Sequence, residues 1–211
     1  MLLTTTAAGV AIDLASKWWA FQRVAGFPVV VRREDVLAAP RLADLLPRVE
    51  AMVVIPDLLH FSLVLNPGAV FGIGAGKRWF FVAFTLGALL FALYMFARWT
   101  RHRDWASHIA IGLLIAGALG NLYDRLVYAC VRDFIHPLPG WKLPFGWTIN
   151  GTRELWPYVS NIADAFLLIA IGMLLINSWV KEHRRNRGER GHTNGHSNSK
   201  QPTTTSGPAS A

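Results

Sequence analysis

The chain has 211 residues, more than half of them apolar, and a net charge of +8. Only 16% are charged, against roughly a quarter in a soluble domain, and the charges are absent from four stretches and gathered between them. This excludes an ordinary soluble domain and is the pattern of a membrane protein; because Lys and Arg flank the apolar runs, the positive charge reports topology, and no nucleic-acid partner is expected.

The first span is expected over about Leu2 to Val24, interrupted by Asp13, Lys17 and Arg23. The stretch Met1 to Ile12 has no basic leader and no small-residue cleavage site, so it is expected to open a retained span rather than a removable signal. Asp13 and Lys17 are four apart on one helix face, acid before base, a spacing that favours an ion pair. The second span runs from about Trp79 to Ala97, the third from about His108 to Val127 and the fourth from about Val159 to Val180. Each is close to the roughly 20 residues needed to cross a hydrocarbon core, where only a helix satisfies its own backbone. Trp79, Trp99, Trp105, Trp156 and Trp179 mark span edges, as interfacial aromatics do. Ala116 and Gly120, with Gly117 beside them, predict close helix packing in the third span.

Basic residues set the orientation. Arg98, Arg101 and Arg103 lie between spans two and three, and Lys181, Arg184, Arg185, Arg187 and Arg190 follow span four. Both sets are expected to be cytoplasmic, which puts both termini inside and loops of about 25–78 and 128–158 outside. The expected organisation is an all-α, four-helix membrane domain over 1–187 and a disordered cytoplasmic tail over 188–211, the latter being polar with no apolar pattern. The Trp-, Pro- and Gly-rich stretch from His136 to Tyr158 is expected to be irregular and partly interfacial. The single cysteine, Cys130, excludes an internal disulfide and is expected to be a small buried hydrophobe.

Ionisable residues at membrane depth raise a functional question. Asn121, Asp124 and Arg125 share a face near the outer end of span three, Asp133 follows outside, and Asn161 and Asp164 share a face where span four re-enters. Two of the three carboxylates Asp124, Asp133 and Asp164 could therefore approach each other near the outer surface. Two close carboxylates share a proton, and such a pair activates water with one member and protonates a carbonyl with the other. Peptide hydrolysis without metal or covalent intermediate is one reading; three solvated interfacial acids is the other. FGIGAGKR (Phe71 to Arg78) fails as a phosphate loop, because Phe71 and Arg78 stand where Gly and Ser or Thr are needed. The seven histidines show no metal-ligand spacing, the acceptor-like NGT at Asn150 is a frequent chance match, and neither a metal nor another cofactor is expected.

Five segments, in order, resemble the bacterial lipoprotein signal peptidases, the type II signal peptidases. DLASK (Asp13 to Lys17) resembles Asp-x-x-Thr/Ser-Lys, and NPGAVFG (Asn66 to Gly72) resembles Asn-x-Gly-Ala-Ala-Phe. GNLYDR (Gly120 to Arg125) matches Gly-Asn-x-x-Asp-Arg, VRDF (Val131 to Phe134) resembles Val-Val/Ile-Asp-Phe, and SNIAD (Ser160 to Asp164) resembles Phe-Asn-x-Ala-Asp. The departures are Val70 for Ala, Arg132 for an aliphatic residue, Ser160 for Phe, and unusually long outer segments at 27–60 and 136–158. The resemblance implies four membrane helices with a small extracytoplasmic β-structure and a short outer helix, in the bacterial cytoplasmic (inner) membrane. It implies that Asp133 and Asp164 are the catalytic pair near the outer face. Asn66, Gly68, Asn121, Arg125 and Asn161 would line the site and hold substrate, Asp124 would mainly orient Arg125, and Asp13 and Lys17 would support the fold. The implied partners are membrane lipid and prolipoproteins carrying a diacylglyceryl-cysteine, cut just before that cysteine, with globomycin-type cyclic peptides as inhibitors. The rivals are a non-enzymatic four-span transporter or assembly factor, whose acids would spread through the membrane depth, and a metal-dependent membrane protease, disfavoured by the lack of a His-Glu motif.

Overall fold

A computed structural model of the chain describes residues 1–68, 78–99, 104–148 and 151–197. The second half of the Asn66–Gly72 segment, Arg101, Arg103, Asn150 and residues 198–211 lie outside the described residues. The elements in chain order are helix α1 (Leu2–Arg23), the short helix α2 (Arg33–Ala38), strands β1 (Met52–Ile55) and β2 (Leu59–Asn66), helices α3 (Arg78–Trp99) and α4 (Trp105–Val127), strand β3 (Val131–Pro137) and helix α5 (Ile162–Ser197). The chain divides into two compact units, Met1–Met173 and the part from Leu174 on, and everything that builds the candidate site belongs to the first.

Among the described residues, three helices are long and apolar enough to cross a membrane, over Trp79–Arg98, Trp105–Val127 and Ile162–His183. They begin and end within a few residues of the second, third and fourth predicted spans. α1 has the length of a span but is not among the three. Its three threonines at 4–6, Asp13 and Lys17 dilute its hydropathy, yet Asp13 and Lys17 are fully buried. The helical backbone of α5 is described as far as Ser197, past the Gly188 at which the sequence suggests a disordered tail.

Small residues decide how α1 and α4 meet. A side chain added at Gly112 would strike Thr5, one at Gly9 would lie 2.6 Å from the Cβ of Ala116, and one at Gly120 would lie 2.3 Å from a carboxylate oxygen of Asp13. The three contacts advance four residues at a time on both helices, so α1 and α4 run parallel with backbones close together, as small-residue interfaces in lipid allow. Thr6 adds a hydroxyl hydrogen bond to the Gly112 carbonyl at 3.2 Å. On the other side of α4, a Cβ at Gly117 would sit 2.5 Å from the Ala163 carbonyl, which seats the start of α5 against the same helix.

The sheet is antiparallel in the order β1-β2-β3. It closes over the end of α1 with a core of Ala20, Phe21, Val24, Leu65 and Phe134, to which α2 contributes Val36. Cys130 belongs to this core and is fully buried, as expected of a small hydrophobe, and burial pushes its thiol up to about 12. The three-stranded sheet matches the small β-structure that the family resemblance implies.

Candidate active site

β3 positions the first carboxylate. Asp133 pairs with Val64 of β2 on one side. On the other side the N–H groups of Phe134 and Ile135 donate to the Ser160 carbonyl, and Ser160 N–H donates back to Ile135. Alternation along the strand sends neighbouring side chains to opposite faces. Arg132 turns toward Asp124, Tyr128 and Phe21, while Asp133 turns toward Asn66 and Asn161.

The bridge at Ser160 leads directly into the cap of α5. Asn161 Oδ1 accepts from the Asp164 backbone N–H at 3.1 Å, and Asp164 Oδ2 accepts from the Asn161 N–H at 3.3 Å. This reciprocal box satisfies two donors that a helix start leaves free. It also fixes Asp164 in the first turn, where the positive end of the helix favours a carboxylate.

Three amide side chains connect the carboxylates. Asn161 Nδ2 donates to Asp133 Oδ1 at 2.6 Å and to Asn121 Oδ1 at 3.1 Å. Asn66 Nδ2 donates to Asp133 Oδ2 at 3.0 Å. Asn121 Nδ2 donates to Asp164 Oδ1 at 2.8 Å. The orientation of the Asn121 amide is set from behind, because Lys17 Nζ donates to its oxygen at 3.1 Å. Since an ammonium can only donate, the amide nitrogen must face Asp164. Asp133 is 1% exposed. Burial first, and the negative charge of Asp164 second, push its carboxyl up to about 7, against the lowering effect of the Asn161 and Asn66 hydrogen bonds.

Beneath this layer lies a buried charge cluster. Lys17 Nζ is 2.8 Å from Asp13 Oδ2 and 3.5 Å from Asp124 Oδ2. Asp124 is also gripped by Arg132 through Nε and Nη2, at 2.8 Å for the closest pair, and by the Arg132 N–H at 2.9 Å. Asp13 uses its other oxygen to accept the Ala163 N–H at 2.8 Å, which ties α1 to the first turn of α5. Two acids and two bases are thus paired and hydrogen-bonded, as buried charges must be. The expectation that Asp124 mainly orients Arg125 is corrected here. Both Asp124 oxygens are taken by Arg132 and Lys17, because β3 delivers Arg132 to the same buried face. Arg132, a departure from the family motif, is the ligand the sequence left unassigned; its sign, opposite to the nearby Asp124, was the available clue.

Arg125 instead donates Nη1 to the Asn121 carbonyl at 3.1 Å and lies over the Phe81 ring, 5.5 Å from its centre. Its Nε is buried without a hydrogen-bond partner among the described residues. Phe81 also walls Gly68. The Gly68 N–H donates to Asn66 Oδ1 at 2.8 Å, its φ is +92°, and a Cβ there would lie 2.7 Å from the ring. Only glycine fits that turn. The predicted residues Asn66, Asn121, Asn161, Asp133 and Asp164 are therefore brought together. Gly68 and Arg125 stand at the edge around Phe81, and Asp13, Lys17 and Asp124 lie underneath. Among the described residues no group of His, Cys, Asp and Glu has metal-site geometry.

Apolar helices of membrane length, together with the family match that follows, define a multi-pass membrane protein. The family model for signal peptidase II (Peptidase_A8) matches residues 5–180. The lipoprotein signal peptidase of Desulfitobacterium hafniense (strain DSM 10664 / DCB-2) is 32% identical over 143 residues, covering 66% of this chain and 82% of its own length. That of Bifidobacterium longum (strain NCC 2705) is 35% identical over 156 residues, covering 67% and 74%. Two solved structures of a bacterial membrane enzyme, obtained by the in meso method, superpose with TM-scores of 0.58 and 0.57 at 25% and 26% identity, covering 86% and 83% of this chain and 88% and 90% of theirs. The chain belongs to the signal peptidase II family. It is an aspartic-type peptidase, a hydrolase of prolipoprotein signal-peptide processing, and that membership displaces the transporter and assembly-factor reading.

Proposed function

We propose that Asp133 and Asp164 are the catalytic pair of this peptidase and that its substrate is a prolipoprotein whose cysteine already carries diacylglycerol, cut just before that cysteine. The observation that carries this reading is the Asn161 side chain, bonded to Asp133 through its nitrogen and to the Asp164 backbone through its oxygen. It holds two carboxyl groups from different elements around one amide. With its carboxyl pushed up to about 7 by burial and by the charge of Asp164, Asp133 is poised to hold a proton near neutral pH.

The chemistry follows from that proton. Ionised Asp164 takes a proton from water as the water oxygen attacks the scissile carbonyl carbon. Protonated Asp133 gives its proton to the carbonyl oxygen as the tetrahedral diol forms. On collapse, Asp164 returns a proton to the leaving amine nitrogen, the carbon–nitrogen bond breaks, and Asp133 recovers its proton from the diol. The Nε of Arg125, without a partner among the described residues, and the Asn66 amide are suited to hold substrate carbonyls, since a buried donor without a partner is costly unless a ligand supplies one.

Four spans remain the proposed topology, with α1 as the first, both termini cytoplasmic and the site near the outer face of the bacterial cytoplasmic membrane. The parallel course of α1 and α4 supports it, because first and third spans must cross in the same direction. Incubating the purified protein with a precursor bearing or lacking diacylglycerol tests the reading. Cleavage of the lipidated precursor alone is the expected result, and equal cleavage of both would overturn the substrate assignment.

A further inference from the structure

The segment joining β3 to α5 folds back on itself. Lys142 bridges Glu154 in antiparallel fashion, Leu143 N–H donates to the Arg153 carbonyl at 2.8 Å, and Leu155 N–H donates to the Trp141 carbonyl at 2.6 Å. At the tip, Phe145 and Gly146 both have left-handed backbones, φ 58° and 75°. For a bulky residue such as phenylalanine that conformation is strained. It leaves the Phe145 ring 89% exposed, with Trp147 beside it at 65% and a ring separation of 5.9 Å, and Trp141 below at 52%.

Three large aromatic rings in water at a strained turn are unfavourable. Each carries roughly 150–250 Å² of buriable surface, so something covers them. Two observations select the cover. Both ends of the excursion are tied to one place, since β3 and Ser160 are hydrogen-bonded at Ile135 and α5 enters its apolar span immediately afterwards at Ile162. The other faces of the tip carry cations. Lys142 is exposed, and the Arg153 guanidinium stands 3.3 Å from where a Cβ on Gly146 would be. Aromatic rings flanked by cations at the end of a membrane helix match the layered chemistry of a lipid leaflet, acyl chains below and phosphates above.

We infer that the tip around Phe145 and Trp147 is a membrane-surface anchor, its rings inserted into the leaflet at which α5 begins and Lys142 and Arg153 set against lipid phosphates. The anchor acts on the strand that carries Asp133 and on the cap that presents Asp164, since the excursion starts from one and ends at the other. It fixes the depth of both relative to the lipid.

A nitroxide label tests this without reference to peptidase activity. Cys130 is fully buried, so a label can be directed to Thr148→Cys beside the rings and, for comparison, to Asp57→Cys on the exposed turn between β1 and β2. The full chain is placed in phosphatidylcholine–phosphatidylglycerol vesicles, and collisions with oxygen and with a water-soluble nickel chelate are measured. The position-148 label is expected to favour oxygen and exclude nickel while the position-57 label does the reverse. Nickel access at 148 is expected to rise to the position-57 level in a Phe145→Ser, Trp147→Ser background. Equal nickel access at 148 and 57 with the rings intact would overturn the anchor. So would shielding at 148 that persists in detergent micelles and grows with protein concentration, because a second protein copy then covers the tip.

Discussion

Asn161 Nδ2 lies 2.6 Å from Asp133 Oδ1, and the oxygen of the same amide accepts the backbone N–H of Asp164 at 3.1 Å. One neutral side chain therefore ties the Asp133 carboxyl to the helix cap that carries Asp164, without adding charge. An aspartate at 161 would put a third negative charge among them.

The catalytic pair is the first test. Asn preserves the shape of Asp but cannot relay a proton. Asp133→Asn and Asp164→Asn are each expected to lower cleavage of a lipidated precursor by about 10³-fold or more, the range general acid–base groups supply. The double variant should be little worse than either single one, because the pair works as a unit. A chelator should leave the wild type unchanged. Substantial turnover by either single variant, or loss on chelation, contradicts the mechanism.

The raised Asp133 carboxyl predicts a pH signature in stability. Between its ordinary value of 3.8 and about 7 the folded chain holds a proton that the unfolded chain has released. Stability from this group is thus complete below about 4 and is lost as pH rises toward 7. Asp133→Asn lacks that loss. Its melting temperature relative to wild type should therefore increase between pH 4.5 and pH 8, read by thermal denaturation in one detergent. A constant difference across that window means that Asp133 does not titrate there. Cleavage by the wild type should also fall on the alkaline side as the Asp133 proton leaves.

Lys17 holds the floor of the site. Lys17→Met leaves Asp13 and Asp124 without one of their bases, and breaking a buried pair costs about 3–5 kcal/mol. It also frees the Asn121 amide to turn away from Asp164. Lower thermal stability together with a reduced kcat is expected, and adding Asp13→Asn should restore part of the stability but not the kcat. Recovery of both would make Lys17 a purely structural residue.

Asn66 is placed to act on substrate and pair alike, donating to Asp133 and accepting from Gly68. Asn66→Ala should weaken globomycin binding and cleavage together, each by about tenfold, corresponding to the roughly 1.4 kcal/mol of one hydrogen bond to a charged group. Inhibitor affinity that stays at the wild-type value would reduce Asn66 to a turn residue.

Three helices and their edges were legible because hydropathy is a local property: an apolar run of about 20 residues has one low-energy solution in lipid. Trp79, Trp105 and Trp179 are exposed at or near the ends of those runs, as interfacial rings should be. The Ala116–Gly120 contact was legible for the same reason, since small residues four apart form a groove on any helix. The excursion over residues 138–159 was legible only as irregular; its fold-back depends on Lys142 meeting Glu154 and on a left-handed Phe145, neither of which has a strong local signal.

By itself the sequence determined the membrane class, the helix positions, the family motifs and three carboxylates near one level of the membrane. The polarity pattern left open which two of Asp124, Asp133 and Asp164 come together, and only the family resemblance pointed to Asp133 and Asp164. Tertiary structure decided that, because the choice turns on contacts between distant parts of the chain. Lys17 of α1 and Arg132 of β3 neutralise Asp124 in the floor, while strand alternation turns Asp133 the other way, toward Asn66 and Asn161. Asp124 is thus paired with two buried cations, whereas Asp133 is buried among neutral amides beside the charge of Asp164, which pushes its carboxyl up.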